Sequence, residues 1–264
     1  MRQNLLLCML YLLSTAAFAQ EDAKPRDAFH LKLGGGGALQ TLRDQAMSPL
    51  LYDGFQLALH AGMEIRGQRG LHRMDALFWL GETSAERSGR TTDNYSYTIN
   101  SVYLHRISPE EARWQWRVGG AVTNWGSFRQ HQSLINSNFF YDLFFSTGAA
   151  ASVERSFRLF RRDWYADWQV IVPVLTFGLR PNYSGLNAAP PDDDSFQGFA
   201  DGEFVSFGKL QNVKSRAELV YPLKNGNRIG LLYYWDFFNT SIGPHPARQA
   251  MQSVQLNLHV SLGK

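Results

Sequence analysis

The stretch Phe55-Gln56-Leu57-Ala58-Leu59-His60-Ala61-Gly62-Met63-Glu64-Ile65-Arg66 decides the fold. Every second residue from Phe55 to Ile65 is apolar, whereas the residues between them include glutamine, histidine, glutamate and arginine. Side chains of a β-strand point alternately to opposite faces, so this pattern predicts a strand with one apolar and one polar face. The same alternation recurs in Trp164–Val174, Ile229–Phe237 and Val254–Leu262, and helical periodicity is nearly absent after residue 20.

Ten segments of this kind are predicted, each roughly ten residues or longer. Strands of soluble proteins are usually about 5–6 residues long, whereas tilted strands that cross a bilayer need about 9–11. The lengths therefore favour an all-β, antiparallel transmembrane barrel of about ten strands, with twelve as the alternative. The predicted strands are 28–39, 52–65, 71–82, 94–106, 112–124, 138–156, 163–179, 213–222, 228–239 and 250–262.

The connections between the predicted strands alternate between long and short. The predicted short connections are Gly67–Gly70, Ile107–Glu111, Phe157–Arg162 and Leu223–Asn227, and the long ones are Gln40–Leu51, Thr83–Asp93, Trp125–Ser137, Arg180–Asn212 and Thr240–Gln249. Outer-membrane barrels have short periplasmic turns and longer extracellular loops. The alternation therefore predicts that both ends of the barrel domain lie on the periplasmic side.

Aromatic residues cluster at both ends of the predicted strands, with smaller aliphatic residues between them. Trp114, Trp116, Trp164 and Trp168 begin strands at one end, and Tyr95, Tyr97, Phe139 and Tyr141 begin strands at the other. Two aromatic belts around an aliphatic band are typical of a membrane-spanning barrel. From Ala28 to Leu262 the chain therefore resembles the β-barrels of Gram-negative outer membranes. It departs from many of them at the C-terminus, which is Leu262-Gly263-Lys264 rather than an aromatic residue.

The first nineteen residues predict an export signal. Arg2 is followed by the apolar run Leu5–Leu13 and by Ala17-Phe18-Ala19, which is an A-x-A cleavage pattern. We expect residues 1–19 to be a signal peptide and residues 20–264 to form a single barrel domain in the outer membrane. The only cysteine, Cys8, lies inside this signal, so a disulfide framework is excluded. A formal net charge of +3 over 264 residues is too even for a nucleic-acid-binding protein.

The polar faces of the strands predict a lumen that contains charges of both signs. Because a ten-stranded barrel is narrow, these charges are expected to form a salt-bridge network, with a narrow solute path as the alternative. Pro173 within a strand predicts a bulge, and Gly34–Gly37 predict bending or close side-chain approach. The predicted inward residues are Lys32, His60, Glu64, Arg66, Arg73, Asp75, Arg113, Arg117, Asp142, Glu154, Asp167, Lys214, Arg216, Glu218, Arg228, Asp236 and His259.

Two candidate catalytic residues, His131 and Ser133, lie in a predicted outer loop. Their spacing resembles the His and Ser pair of outer-membrane lipid A deacylases, in which a histidine acts as base on a nearby serine. Asp142 is a candidate for orienting His131. Leu134 follows Ser133 where the family motif has asparagine, and the family places the pair on a strand rather than in a loop.

Two further site hypotheses concern carboxylates. Asp192, Asp193 and Asp194 are weak candidates for Ca²⁺ ligands, and a solvated acidic loop tip is the favoured interpretation because they lack the spacing of a Ca²⁺ loop. Asp93 and His245 near the rim resemble the Asp and His chemistry of omptins, the ten-stranded outer-membrane proteases. Spacing of the kind that binds transition metals is absent from the sequence, and no cofactor is expected.

The long connection Arg180–Asn212 holds the last prediction. Asn187–Asp194 is acidic and proline-rich and is expected to be mobile, whereas Phe196–Leu210 is expected to cover the barrel mouth or to extend the adjoining strands. We therefore expect a non-enzymatic barrel in contact with outer-membrane lipid. Its role would be a surface-loop interaction with a protein or small molecule, or support of an envelope complex. The alternatives are a hydrolase, deacylase-like or omptin-like, and a small passive channel.

Overall fold

The computed structural model describes residues 28–86, 88–131, 139–159, 162–180, 202–243 and 245–262. The predicted signal peptide, Ser133, the three aspartates 192–194 and the segment 187–194 lie outside these residues. No helix of the described part of the chain is long and apolar enough to span a membrane.

The described residues form eleven antiparallel strands. Their bounds are β1 Ala28–Asp44, β2 Ser48–Arg66, β3 Gly70–Ala85, β4 Arg90–Arg106, β5 Gln115–His131, β6 Phe139–Leu159, β7 Arg162–Leu179, β8 Glu203–Ser206, β9 Leu210–Pro222, β10 Arg228–Thr240 and β11 Ala247–Ser261.

Ten of these strands close into a barrel, as predicted. Neighbouring strands pair in chain order from β1 to β7, β7 pairs with β9, and β11 pairs with β1 to close the wall. The four residues of β8 pair only with the upper end of β7, opposite Leu175–Gly178. The wall of the described barrel therefore has ten strands, and the twelve-strand alternative was wrong. The start of β1 and the end of β11 lie at the same rim, which is the periplasmic rim for a barrel with periplasmic termini.

The strands extend further at the outer rim than the sequence patterns predicted. Within the expected loops Gln40–Leu51, Thr83–Asp93 and Thr240–Gln249, pairing continues through Arg43↔Leu51, Ser84↔Thr91 and Thr240↔Ala247. The predicted bounds of these loops were wrong because polar residues occupy both faces of a strand above the membrane. Apolar alternation ends at that level, whereas backbone pairing does not.

The burial pattern of the wall is the reverse of that of a soluble protein. Large apolar side chains are exposed along every long strand except β9, and polar side chains facing the lumen are buried. Phe55 is 67% exposed on β2, whereas Gln56 next to it is fully buried. The exposed apolar face fits a lipid environment. It includes Leu31, Leu33, Leu39, Leu57, Leu59, Phe78, Leu80, Val118, Phe145, Val174, Leu231, Val254, Leu256 and Leu258.

Two local irregularities follow from particular residues. Beside Pro173 the β6–β7 register shifts, and Val174 is skipped between Pro173 and Leu175, which confirms the predicted bulge. A Cβ added to Gly36 would lie 2.0 Å from the carbonyl oxygen of Val254 on β11. Gly36 therefore permits a close backbone approach between β1 and β11. A Cβ added to Gly37 would lie 2.7 Å from the Phe55 ring, so the predicted close approach of a side chain is also present.

Candidate functional sites in the lumen and at the outer mouth

The periplasmic half of the lumen contains a network of buried charged groups, which we call the lower charge network. Arg73 is near its centre, with its Nη2 3.1 Å from Glu64 Oε2 and 2.7 Å from Asp167 Oδ2. Lys32 Nζ lies 2.9 Å from the same Glu64 oxygen. The full set is Lys32, Glu64, Arg66, Arg73, Asp75, Arg117, Glu154, Asp167, Arg216, Glu218 and Arg228, with His60 and His259 at its edge.

The lower charge network joins nine of the ten wall strands: eight contribute a lysine, arginine, aspartate or glutamate, β11 contributes His259, and β4 contributes no member. It contains six lysine or arginine cations and five carboxylates, so its charges nearly cancel. His60 Nε2 lies 3.0 Å from Asp75 Oδ1, and His259 Nε2 lies 2.9 Å from Glu218 Oε1. Burial of a charge is tolerated when it is paired and hydrogen-bonded. The predicted salt-bridge network is therefore present.

Arg113 is an exception to the predicted inward set. It precedes β5, which begins at Gln115, and its side chain is exposed. That prediction was wrong because the strand was expected to begin at residue 112. Lys214 and Asp236 face the lumen as expected, and Nζ of Lys214 lies 2.6 Å from Oδ2 of Asp236.

Apolar side chains fill the lumen above the lower charge network. Trp79 and Tyr234 are buried there, with ring centroids 5.8 Å apart. Higher up, Trp125 packs edge-on against Phe238 with centroids 4.6 Å apart and stacks on Phe144 at 5.2 Å. The upper cluster also contains Val205, Leu210, Ile242 and Ala247.

The segment around β8 supplies two members of this upper apolar cluster. Val205 lies within β8, and Leu210 begins β9 after the turn Phe207–Lys209. Both side chains are buried in the mouth. The described part of Phe196–Leu210 therefore does what was expected of it: it extends the pairing of β7 and covers the mouth from the inside.

Four charged residues form a closed ring at the outer mouth, which we call the outer clamp. Arg129 Nη1 lies 2.8 Å from Asp44 Oδ2, and Arg129 Nη2 also contacts Asp142. Arg180 contacts Asp44 and lies 3.2 Å from Asp142 Oδ1. Each arginine thus bridges both aspartates. All four side chains are at most 3% exposed, so solvent hardly reaches them.

The outer clamp crosses the whole lumen. Asp44 ends β1 and Asp142 lies on β6, and these strands are five positions apart in a ten-stranded ring. Arg129 comes from β5, and Arg180 follows β7. The clamp therefore joins opposite sides of the wall at the level of the upper apolar cluster, whose Ala247 is the register partner of Asp44.

The candidate His131 is not in a loop. It is the last residue of β5, its side chain is fully buried, and its Nε2 lies 2.9 Å from the hydroxyl of Tyr52. The two rings meet edge-on with centroids 5.8 Å apart. The loop placement was wrong because β5 continues beyond the predicted end at residue 124.

The other candidates are not brought together around His131. Asp142 faces the lumen, but it belongs to the outer clamp and contacts the two arginines. Asp93 lies on β4 with its side chain on the opposite face from inward-facing Thr92, whereas His245 lies in the connection from β10 to β11. These strands are well separated in the ring. Among the described residues, no group of three or more His, Cys, Asp or Glu side chains could hold a metal ion.

Sequence reasoning missed Asp44, Tyr52, Arg129 and Arg180 as mouth residues. The sequence did contain a signal, because residues an even number apart in a strand share a face. Arg129 is an even number of residues after inward-facing Arg117, and Asp44 is an even number of residues after inward-facing Lys32. That signal was lost because both strands were ended too early.

A surface cleft of about 370 Å³ lies between the β2–β3 and β4–β5 turns at the periplasmic rim. It is lined by Gln68, Arg69, Arg106, Ile107, Ser108, Pro109 and Glu110. Arg106 lies 3.5 Å from Glu110 across it. The cleft is outside the lumen and contains none of the predicted catalytic residues.

Comparison with known proteins gives a structural likeness without a sequence relative. No family model matches the chain, and no curated protein matches it. The outer-membrane protease OmpT from Escherichia coli superimposes with a TM-score of 0.54 and 8% identity, over 92% of this chain and 99% of that one. The chain folds as a Gram-negative outer-membrane β-barrel.

Other outer-membrane β-barrels are also found. Neisserial surface protein A matches at 11% identity with a TM-score of 0.36, over 92% of this chain and 100% of that one. The translocator domain of the autotransporter NalP from Neisseria meningitidis matches at 6% identity with a TM-score of 0.41, over 97% and 95% of the two chains. At identities this low, a structural likeness shows the fold alone.

Proposed function

We propose that this outer-membrane β-barrel is a non-enzymatic surface protein whose closed lumen is structural and whose outer end carries the interaction with a partner. The observation that carries the proposal is the outer clamp, because it ties opposite sides of the wall together across the mouth. In this proposal the partner is a protein or small molecule at the outer end, or an envelope complex that the barrel supports.

The layers of the lumen argue against a passive channel. An ion entering from outside would meet the outer clamp and the apolar cluster around Trp125, and then the lower charge network. Passage would separate buried ion pairs such as Arg73–Asp167, and removing one partner from a buried pair leaves a costly unpaired charge. A solute path is therefore less well supported than a filled barrel.

The surroundings of His131 argue against hydrolysis. A general base must come within hydrogen-bonding reach of the group that it deprotonates. His131 is buried beside Tyr52, and Asp142, the carboxylate expected to orient it, contacts Arg129 and Arg180 instead. The deacylase-like alternative needs an accessible histidine near a free carboxylate, and the omptin-like alternative needs Asp93 and His245 together, whereas they lie on well-separated parts of the ring.

The length of the strands supports a role at the outer surface. β6 has 21 residues, which at about 3.3 Å per residue gives roughly 70 Å of strand. Even when tilted, such a strand is longer than an apolar band about 25 Å tall requires. The upper parts of the strands would form a rigid platform that holds the outer connections above the lipid.

Export to this location is part of the same proposal. Residues 1–19 would direct secretion and be cleaved after Ala19, so that the barrel begins in the periplasm and inserts into the outer membrane. Sequencing of the N-terminus of the protein purified from membranes would test the cleavage position.

Two assays test the closed, non-enzymatic lumen. Purified protein in planar bilayers should give no steady current, and it should release neither acyl chains from lipid A nor fragments from unfolded peptide substrates. Steady conductance that increases in an Arg129→Gln variant would favour the channel. Turnover that is lost in a His131→Ala variant, while heat-modifiability is retained, would favour the hydrolase.

A rescue experiment tests the outer platform. The variant is expressed in a strain that lacks the protein, with residues 183–199 replaced by a short glycine-serine linker. It should insert and remain heat-modifiable, but it should not reverse the defect that loss of the protein causes. A barrel with the periplasmic turn residue Asn225 changed to serine serves as the matched control and should reverse that defect. Full rescue by the linker variant would contradict a role for this outer segment.

A further inference from the structure

Two arginines face each other on the outside of the wall. Arg43 on β1 and Arg248 on β11 are direct partners in the antiparallel register. Both side chains are exposed, and both point away from the lumen because their neighbours Leu42 and Ala247 are buried inward. Among the described residues, neither guanidinium has an ion pair or a hydrogen bond.

This pairing is unfavourable by itself. Directly opposed residues of antiparallel strands have Cβ atoms about 4.5–5.5 Å apart, and like charges at that spacing repel. The nearest carboxylate along the sheet is Asp53, which is the partner of Thr41 and therefore diagonal to Arg43. One diagonal carboxylate leaves the arginine pair with a net positive charge. An anion bound between the two guanidinium groups would remove the repulsion.

The position of the pair along the wall indicates where that anion comes from. Leu51 is the direct partner of Arg43 on β2 and is 53% exposed. Phe237, which stacks on Trp235 on the outer face, pairs with Ala250, two residues from Arg248. The arginines therefore lie at the outer edge of the lipid-facing apolar surface, at the level where the headgroups of the outer leaflet are expected.

We propose that Arg43 and Arg248 form a binding site for a phosphate group of an outer-leaflet glycolipid. Arginine binds phosphate through two parallel N–H···O bonds, and two arginines at this spacing can share one phosphate. The acyl chains of the same lipid would lie along the apolar wall below, against Leu39 and its register partner Phe55. Because free phosphate has no acyl chains to contact that apolar surface, the proposed ligand is the lipid. This inference requires only the outer-membrane location and does not depend on the proposed non-enzymatic role.

Thermal unfolding with defined lipids tests the site. The midpoint of the heat-modifiability transition is measured for the full protein in neutral detergent. The same midpoint is then measured after addition of bisphosphorylated lipid A, of the same lipid after removal of both phosphates, or of inorganic phosphate. Bisphosphorylated lipid A should raise the midpoint because a ligand that binds only the folded state stabilises it. The dephosphorylated lipid should give a smaller rise, and inorganic phosphate should give none.

Matched variants locate the effect. The double variant Arg43→Gln, Arg248→Gln should lose most of the rise in midpoint that bisphosphorylated lipid A causes. The double variant Arg43→Lys, Arg248→Lys should keep part of it. Arg162→Gln removes the charge of an exposed arginine at the periplasmic end and should keep all of it. Without lipid, the double glutamine variant should melt at or above the wild-type midpoint, because the repulsion is gone.

Several results would overturn the site. An equal rise with dephosphorylated lipid A would show that the phosphate is not recognised, and this comparison uses the wild-type protein alone. An equal rise with inorganic phosphate would indicate a simple anion site rather than a lipid site. An unchanged rise in the folded double glutamine variant would place any lipid site elsewhere on the wall.

Discussion

Asp44 and Asp142 lie on opposite sides of the barrel, and one guanidinium, that of Arg129, contacts both of them. Arg180 contacts the same two carboxylates from the end of β7. The outer clamp therefore gives the mouth a cross-connection that hydrogen bonding within the wall cannot supply, because wall pairing joins only neighbouring strands.

Loss of one clamp arginine should destabilise the barrel strongly. Arg129→Gln removes the cation that bridges the two aspartates and leaves Arg180 alone with both. We expect the free energy of unfolding to fall by about 3–5 kcal/mol, the usual effect of breaking a buried ion pair. Urea titration of the barrel folded in phospholipid vesicles measures it.

An exposed ion pair provides the control for this prediction. Arg158 lies 3.8 Å from Asp163 at the periplasmic rim, and its side chain is 74% exposed. Arg158→Gln should change the free energy of unfolding by about 0–1 kcal/mol. Equal losses for Arg129→Gln and Arg158→Gln would mean that the clamp contributes no more than a surface pair.

A charge on the apolar wall should be costly in a way that depends on depth. Leu59 is exposed in the middle of the lipid-facing surface of β2. Leu59→Arg should lower the free energy of unfolding in vesicles by about 2–4 kcal/mol. Ser84→Arg places the same charge on the outward face of β3 near its outer end, where the cost should be close to zero. Equal losses of unfolding free energy for Leu59→Arg and Ser84→Arg would contradict the position along the strands assigned to the membrane.

Side chains added to the glycine run should have unequal effects. A Cβ on Gly36 would overlap the Val254 carbonyl oxygen at 2.0 Å, whereas a Cβ on Gly35 would lie 3.3 Å from the Ala58 carbonyl oxygen. Gly36→Ala should therefore destabilise the β1–β11 closure by about 1–3 kcal/mol, as overpacking usually does. Gly35→Ala should cost less. Urea titration of both variants under one set of conditions makes the comparison, and the reverse order would contradict the close approach.

Cysteine labelling tests which rim faces the cell exterior. Ser88 lies in the β3–β4 turn at the outer rim, and Gln68 and Asn225 lie in turns at the other rim. A membrane-impermeant maleimide should label Ser88→Cys on intact cells. It should label Gln68→Cys or Asn225→Cys only after the outer membrane is opened. Labelling of the last two on intact cells would invert the barrel.

The barrel could be predicted from the sequence because the lipid imposes a simple constraint on each strand. Outward residues such as Phe55 and Leu57 must be apolar within the membrane, so alternation and strand length are visible in the residues themselves. The same reasoning identified Lys32, Glu64, Arg73 and most of the other inward charges.

The outer mouth could not be predicted in the same way. Above the membrane both faces of a strand are wetted, so polar residues such as Thr41 and Asp44 no longer differ by face. Strand bounds then depend on pairing between distant segments. The sequence also does not state that Asp142 meets arginines from β5 and the end of β7 rather than His131, because that depends on how the closed ring places its strands.

The lower charge network has a consequence for assembly. Several of its ion pairs, such as Arg73–Asp167 and Arg66–Glu154, join strands that are not neighbours in the wall, so these pairs form only when the sheet closes. A partly built sheet that entered the bilayer would carry unpaired arginines and glutamates into hydrocarbon, which is costly for each group. Premature insertion is thereby penalised until the final strand arrives, and the finished barrel should form in one cooperative step. The charges inside the barrel should therefore favour insertion of the complete barrel over insertion of a partial sheet.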